Sequence, residues 1–197
     1  MSEIVNTVAV SCITLSNVNA SLPDLLQLDK HKMRQKRKYL NKTTTGRSGN
    51  QFSGYFLRMK NCTLTIFKTG KIILNGVKGE GELIKAFDEL STLIHRTLPD
   101  GGDFEMLLPR IVNITGCRAI MKAFDLKKLQ NKDSRASYEP GIFPNLQFIF
   151  DKDKKARGIV SKSGKIIVTG VTSASELEVY LNCLQKIIES QFDSNKV

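Results

Sequence analysis

Several features that usually announce a function are scarce or missing. No apolar run approaches the roughly 18 residues of a membrane span, so no spanning segment is expected. The opening Met1-Ser-Glu-Ile-Val lacks a basic stretch followed by an apolar one, so no secretory leader is expected. Cys12, Cys62, Cys117 and Cys183 are far apart and form no C-x-x-C. That spacing points away from a zinc knot or disulfide framework and toward small thiols in a reducing compartment. Histidine is limited to His31, in a basic run, and His95, at a predicted helix end where an imidazole suits the dipole. A histidine-based catalytic or metal site is therefore not expected.

What is present is a globular balance with a surplus of one charge. The 197 residues are 41% hydrophobic and 25% charged, enough to bury a core. Thirty Lys and Arg against nineteen Asp and Glu leave a net charge of +11. Divided after Glu105, the halves carry +5 and +6, so the excess is not a basic tail on a neutral domain. A chain this basic should meet a polyanion, nucleic acid before an anionic membrane.

The chain also repeats itself. Residues 67–94 (FKTGKIILNGVKGEGELIKAFDELSTLI) and 161–188 (SKSGKIIVTGVTSASELEVYLNCLQKII) share eleven of 28 positions without a gap, including Gly70/Gly164, Lys71/Lys165 and Gly76/Gly170. A weaker echo relates 51–59 to 142–150. Two related halves follow, 1–104 and 105–197, the first with a basic insertion at about 29–50.

Each half has the same grammar. A β-branched stretch opens it (Glu3 to Val10; Arg110 to Cys117), followed by a short helical stretch (from Ser21; Ala123 to Leu129). Strands are predicted at Gly54–Lys60, Thr63–Lys68 and Lys71–Lys78, then at Leu146–Phe150, Ala156–Lys162 and Lys165–Thr172. Thr69-Gly70 and Ser163-Gly164 are predicted as two-residue hairpin turns. A long helix closes each half, with Leu83, Phe87, Leu90 and Ile94, and Leu177, Tyr180, Leu181, Leu184, Ile187 and Ile188, at helical spacing. Alternation puts Leu64, Ile66, Ile72, Leu74 and Gly76 under the helix and Thr65, Phe67, Lys71, Ile73 and Asn75 on the opposite, open face. Exposed apolar residues on a basic sheet face mark a binding surface.

These motifs resemble the TATA-box-binding protein family over about nine-tenths of the chain. Ser137-Tyr-Glu-Pro-Gly-Ile-Phe-Pro-Asn-Leu is similar to the family's S-Y-E-P-E-L-F-P-G-L, and Ile66–Lys78, Lys162–Val171 and Pro109–Cys117 match further family stretches. The resemblance implies an α+β fold: a pseudo-two-fold saddle, one continuous curved antiparallel sheet of two repeats with helices on the convex face. It also implies a non-enzymatic general transcription initiation factor, without a cofactor, that binds and bends A·T-rich promoter DNA through the minor groove.

The family's functional residues transfer unevenly. Phe52 and Phe67 match both intercalating phenylalanines of the first half and Phe143 one of the second, where Ser161 replaces its partner. Asn113, Thr169 and Asn75 match or replace polar groove readers. The resemblance pairs Glu3, rather than Asn6, with Asn113, which makes the Ile-Val-Asn shared by both halves a coincidence of register and sets a carboxylate against the DNA. Val5, Ile73, Ile159 and Ile167 match the apolar floor, with Thr65 and Thr115 as polar exceptions. Arg58, Lys71, Lys78 and Lys165 match phosphate-contacting positions, whereas Ile149 and Thr172 replace two others. The basic stretch Asp29–Arg47 reads as a solvated loop, an extra phosphate grip or a nuclear localisation patch. Glu139 and Ile142 match an acidic and an apolar position that address the next general transcription factor, with Gly141 replacing a second acid. The expected partners are double-stranded A·T-rich DNA, a transcription-factor-B-like protein and other general transcription factors. The expected state is a monomer on DNA, in the nucleus or, for a viral origin, a viral replication compartment. The alternative is an interaction adaptor that keeps the fold and has weak or no sequence-specific DNA binding.

Overall fold

The computed structural model describes residues 2–28, 54–120, 125–150 and 155–193. Phe52 and the basic stretch Asp29–Arg47 lie outside the described residues. The chain divides into two compact units, one of Ala9–Arg110 and one of Met1–Val8 with Ile111–Val197. They are called here the first-repeat and second-repeat units. Strand β1 (Glu3–Ser16) contributes residues to both.

In the first-repeat unit, β1 is followed by α1 (Leu22–Leu25), β2 (Tyr55–Arg58), β3 (Thr63–Ile66), β4 (Lys71–Val77), α2 (Glu80–Thr97) and β5 (Asp103–Met106). The strand order is β2-β3-β4-β1, with β5 also pairing β1. The second-repeat unit holds β6 (Arg110–Ala119), α3 (Leu126–Lys132), β7 (Ala136–Ser137), β8 (Leu146–Ile149), β9 (Arg157–Val160), β10 (Lys165–Val171) and α4 (Ala174–Asp193). Its order is β1-β6-β10-β9-β8-β7. The β2–β3, β3–β4, β1–β5, β6–β10, β10–β9, β9–β8 and β8–β7 ladders are antiparallel. Antiparallel strands with helices make each unit α+β.

One sheet face in each unit is covered by its long helix. Leu83, Phe87, Leu90 and Ile94 of α2 are buried, as are Leu64, Ile66, Ile72 and Leu74 of the hairpin. Leu177, Leu181, Leu184 and Ile188 of α4 bury against Val160, Ile166, Val168 and Val171. Each such side chain contributes about 1.5–3 kcal/mol by leaving water, before entropy is charged. The helices start on the same device. The Glu82 carboxylate accepts from Lys78 N at 2.9 Å, and the Glu176 carboxylate from Thr172 N at 3.1 Å. A glutamate in the first turn thereby ties down the backbone amide of the residue two before each helix and fixes the turn from strand into helix. Arg118 on β6 also ties the sheet to α4, donating to Glu178, to Asn182 at 2.7 Å and to Gln185 at 2.6 Å. The Ser2 hydroxyl, followed by Arg118, holds the Glu178 carboxyl below its ordinary range.

Four sequence expectations change. β1 runs on to Ser16 because its end pairs with β5, a four-residue edge strand too short to be predicted. The helical stretch expected from Ala123 is found as α3, Leu126–Lys132, capped by the Asp125 carboxylate on Lys127 N and Lys128 N. The hairpin turns have three residues, not two. Phe67 N donates to Lys71 O at 2.9 Å and Gly70 N to Phe67 O at 3.0 Å, leaving Lys68, Thr69 and Gly70 as the loop. Ser161 and Lys165 repeat this pattern around Gly164. Gly70 and Gly164 have φ of 79° and 89°, as the third residue of such a loop requires. Finally, Val77 rather than Gly76 is buried. Gly76 and Gly170, at φ 110° and 87°, interrupt the alternation in both repeats, and the β10 ladder shifts register between Val168 and Val171.

Gly70 is needed for space as well as for its torsion. Its carbonyl accepts from Ile13 N at 2.9 Å, and a Cβ there would lie 1.9 Å from Ile13 O. Gly70→Ala should destabilise the protein by more than about 2 kcal/mol, combining left-handed strain with a backbone clash. Gly141→Ala, with no atom within 4 Å of the added carbon, should stay within about 0.5 kcal/mol. Urea denaturation compares the two; equal midpoints would show that β1 does not press on the hairpin.

Candidate nucleic-acid interface

The pleat sorts each hairpin into two chemistries. In the first-repeat unit, Phe56, Thr65 and Ile73 lie opposite one another on β2, β3 and β4, and Arg58, Thr63 and Asn75 form the next row. These rows face away from α2, because Leu64 and Leu74 between them are buried. Phe67 and Lys71 bracket the turn, Phe67 half-buried and Lys71 exposed. Lys78 follows the Gly76 interruption and is also exposed. Phe56 is 47% exposed and was absent from the sequence-derived set. Its signal was available, since it stands two residues before Arg58 and so shares its face.

The second-repeat unit builds the matching rows. Gln147, Ile159, Ile167 and Cys117 stand opposite one another, then Ile149, Arg157 and Thr169. Thr169 is joined by Asn113 and Thr115 in a polar cluster. Thr115 Oγ1 and Thr169 Oγ1 are 2.8 Å apart, Asn113 Nδ2 donates to Thr115 Oγ1 at 3.3 Å, and Asn113 Oδ1 accepts from Gly170 N at 2.8 Å. Asn113 thus holds the bulge while presenting its amide on the open face. Lys165 is exposed beside the turn.

The two hairpin tips differ in one respect. Where Phe67 has an apolar ring, Ser161 turns its hydroxyl into the loop, accepting from Lys165 N at 3.0 Å and lying 2.9 Å from Ser163 Oγ. Phe143 is half-buried on the β7–β8 connection, whose turn is closed by Glu139 O accepting from Ile142 N and Phe143 N, each at 2.9 Å. Glu139 is exposed, and Ile142 is 83% exposed at the crest of that turn.

The register of β1 corrects the expectation about Glu3. Ile13 N donates to Gly70 O, and Ile120 N to Gly164 O. Because Gly70 and Gly164 are equivalent, so are Ile13 and Ile120, and counting back along both strands pairs Asn6 with Asn113. The burial patterns agree: Glu3–Ala9 and Arg110–Gly116 read alike position by position. The shared Ile-Val-Asn is therefore the true register, and Glu3 corresponds to Arg110. Val5 corresponds to Val112, the two being 36% and 37% exposed, and it alternates with Asn6 instead of sharing its face. Val8, opposite in repeat to Thr115, takes the place expected for Val5. An alignment that placed Glu3 at the asparagine missed this because no residue type distinguishes two registers of one β-branched strand.

The chain matches the family model for "Transcription factor TFIID (or TATA-binding protein, TBP)" over residues 12–97 and 108–191. It belongs to this family. It is 32% identical over 143 residues to the TATA-box-binding protein of Pyrodictium occultum, covering 71% of this chain and 68% of that one. It is 29% identical over 131 residues to the TATA-box-binding protein of Aeropyrum pernix, covering 65% of this chain and 63% of that one. The TBP-related factor of Drosophila melanogaster is 28% identical over 142 residues, covering 71% of this chain and 61% of that protein. The solved structure of Methanococcus jannaschii TBP superposes with a TM-score of 0.67 at 21% identity, over 96% of this chain and 98% of that one, and shows the same fold. The family is one of transcription factors. Among the described residues, no group of His, Cys, Asp or Glu could hold a metal ion, and no helix is long and apolar enough to cross a membrane. The four cysteines are free.

The corrected register has a measurable consequence in the core. Thr7 becomes the counterpart of Ile114, and both are buried. Among the described residues, the Thr7 hydroxyl has no hydrogen-bond partner. Thr7→Val keeps the shape and removes an unsatisfied group, so it should raise stability by about 1 kcal/mol in urea denaturation. No change would place Thr7 on the open face, and a loss of similar size would mean that its hydroxyl is hydrogen-bonded; the first outcome refutes the register.

Proposed function

We propose that this chain is a TATA-box-binding general transcription factor whose two open sheet faces bind the minor groove of A·T-rich promoter DNA and bend it. The observation that carries this reading is the repeated open face. Each hairpin sets apolar floor residues (Ile73; Ile159 and Ile167) beside polar side chains (Asn75; Thr169 with Asn113) and flanks them with Arg58, Lys71 and Lys78 or with Lys165. Apolar floor and short polar groups suit the degenerate minor groove, where shape carries much of the specificity. The cations suit phosphate. Phe67 and Phe143 are the wedges among the described residues, acting as apolar side chains do when they part base steps in the TATA-box-binding protein itself. With the hydroxyl of Ser161 bound into its own turn, the second-half kink is the shallower one.

The Glu139–Phe143 turn is the docking point for a transcription-factor-B-like partner, with Ile142 as the apolar anchor and Glu139 as the charge. The protein acts as a monomer on DNA, in the nucleus. Ser161 and Ile149 are also what an adaptor that no longer bends DNA would show, and this competing reading is separated by binding itself.

Fluorescence anisotropy should show tighter binding to an A·T-rich than to a G·C-rich duplex, with a steep fall in affinity as salt rises. Phe67→Ala should reduce the bend reported by energy transfer between duplex ends, and Ser161→Phe should increase it. Equal, weak binding to both duplexes would favour the adaptor.

Glu139→Arg should weaken ternary-complex assembly with the cognate partner by tenfold or more, the loss of a charge-assisted hydrogen bond, and leave binary DNA binding nearly unchanged. Gel shifts with and without the partner read both; an unaltered ternary band would remove this turn from the partner surface.

A further inference from the structure

The two repeats differ most in charge at one register position. The row Arg58–Thr63–Asn75 of the first-repeat unit corresponds to Ile149–Arg157–Thr169 of the second. Each row carries one guanidinium, but on a different strand. In the first it stands on β2; in the second, β8 has Ile149 at that place, and the arginine is directly across the ladder on β9.

We propose that Arg157 is the phosphate-binding cation of the second repeat, taking over from the neighbouring strand the task that Ile149 cannot perform. This rests on the DNA-binding reading above. Three observations point the same way. Arg157 lies on the open face: Gly158 and Val160, which alternate with it, face α4, and a Cβ on Gly158 would lie 2.9 Å from Leu184 Cδ2. It is directly opposite both Ile149 and Thr169, and directly opposed residues in a sheet have Cβ atoms about 4.5–5.5 Å apart. Its guanidinium therefore originates one strand-spacing from the place Arg58 holds in the other repeat. Its orientation is also set, because Nη1 donates to the carbonyl of Ala156 at 2.8 Å. A guanidinium has five donors in a fixed fork, so anchoring one of them preorganises the planar head for an anion.

A phosphate is favoured over a base edge as its ligand. The minor-groove acceptors are addressed by the shorter Asn113 and Thr169, which lie next to Arg157 in the same cluster of rows. Ile149, 39% exposed, stands directly opposite Arg157 on β8 and offers the phosphate no charge. A side chain as long as arginine on this face has the reach to pass beyond the shorter floor residues, toward the backbone of a duplex lying on it.

The test is the salt dependence of binding. For the full chain on A·T-rich and G·C-rich duplexes, log K is measured against log salt for the unsubstituted protein, Arg157→Met, Arg157→Lys, and a charge-relocated variant carrying Arg157→Val with Ile149→Arg. Loss of one phosphate contact should lower the slope by about 0.9 and weaken both duplexes alike, roughly tenfold. Lysine should keep the slope, and the relocated arginine should restore it. Arg157→Met with an unchanged slope, while the unsubstituted protein binds DNA normally, would overturn this assignment alone. Loss confined to the A·T-rich duplex would make Arg157 a base-edge reader and would also overturn it. A thermal melt of Arg157→Met accompanies the titration: a lowered midpoint with an unchanged slope assigns the side chain to the fold. If the unsubstituted protein binds neither duplex, the DNA-binding reading fails, and this inference with it.

Discussion

A single backbone hydrogen bond, made twice, sets the frame for everything else in the two units. The carbonyl of the hairpin glycine (Gly70, Gly164) accepts from an isoleucine amide of the opening strand (Ile13, Ile120). Because side chains alternate with a period of two, this bond decides which residues of β1 and β6 look toward the helix and which look away. A slip of one residue would send Thr7, Ala9 and Ile13 out and Val8 and Val10 in. Glycine is demanded at the acceptor: at Gly70, the loop needs φ near 80° and the opening strand leaves no room for a Cβ.

The frame gives each sheet two faces with different work. The covered face is mainly hydrocarbon, Leu, Ile and Val of the sheet meeting the apolar stripe of a long helix, with Arg118 as a polar tie in the second-repeat unit, and its burial stabilises each unit. The open face is mixed, and its composition is a compromise. Ile73, Ile159 and Ile167 remain half-buried beside Thr and Asn side chains, so the surface combines apolar floor residues with short polar groups. In the second-repeat unit the polar members bond to one another, Asn113 spending its carbonyl on the Gly170 amide while its amide group stays on the open face. One side chain thereby holds the bulge and still presents polar atoms on the open face.

The repeats have diverged where the frame is indifferent. At the hairpin tip, Phe67 and Ser161 precede loops with the same backbone bonds and the same glycine, and the Ser161 hydroxyl adds a bond to Lys165 N that Phe67 cannot make. Along the outer strands, a cation can move from β2 to β9 between repeats without disturbing the covered face. The helix starts, by contrast, keep a glutamate at both Glu82 and Glu176, where the carboxylate binds the amide that leads from strand into helix in each repeat.

The internal repeat, the helix stripes, the strand positions and the family were legible in the linear sequence, because periodicity and motif spacing are local properties. Leu83, Phe87, Leu90 and Ile94 could be assigned to one face from spacing alone, and so could Thr65 and Ile73. Three things only the tertiary structure decided. The opening strand has no internal mark of register, so Asn6 rather than Glu3 became the partner of Asn113 only when its amides met Gly70 and Gly164. β5 exists because β1 offers an edge, a condition no four-residue stretch can announce. Arg157 acquired its meaning from Ile149 across the ladder, a neighbour eight positions away in the chain that the hydrogen bonds of the sheet bring alongside. Sequence fixes what each residue prefers; pairing across strands decides which residues share a surface, because that choice is made by backbone hydrogen bonds that carry no side-chain signature.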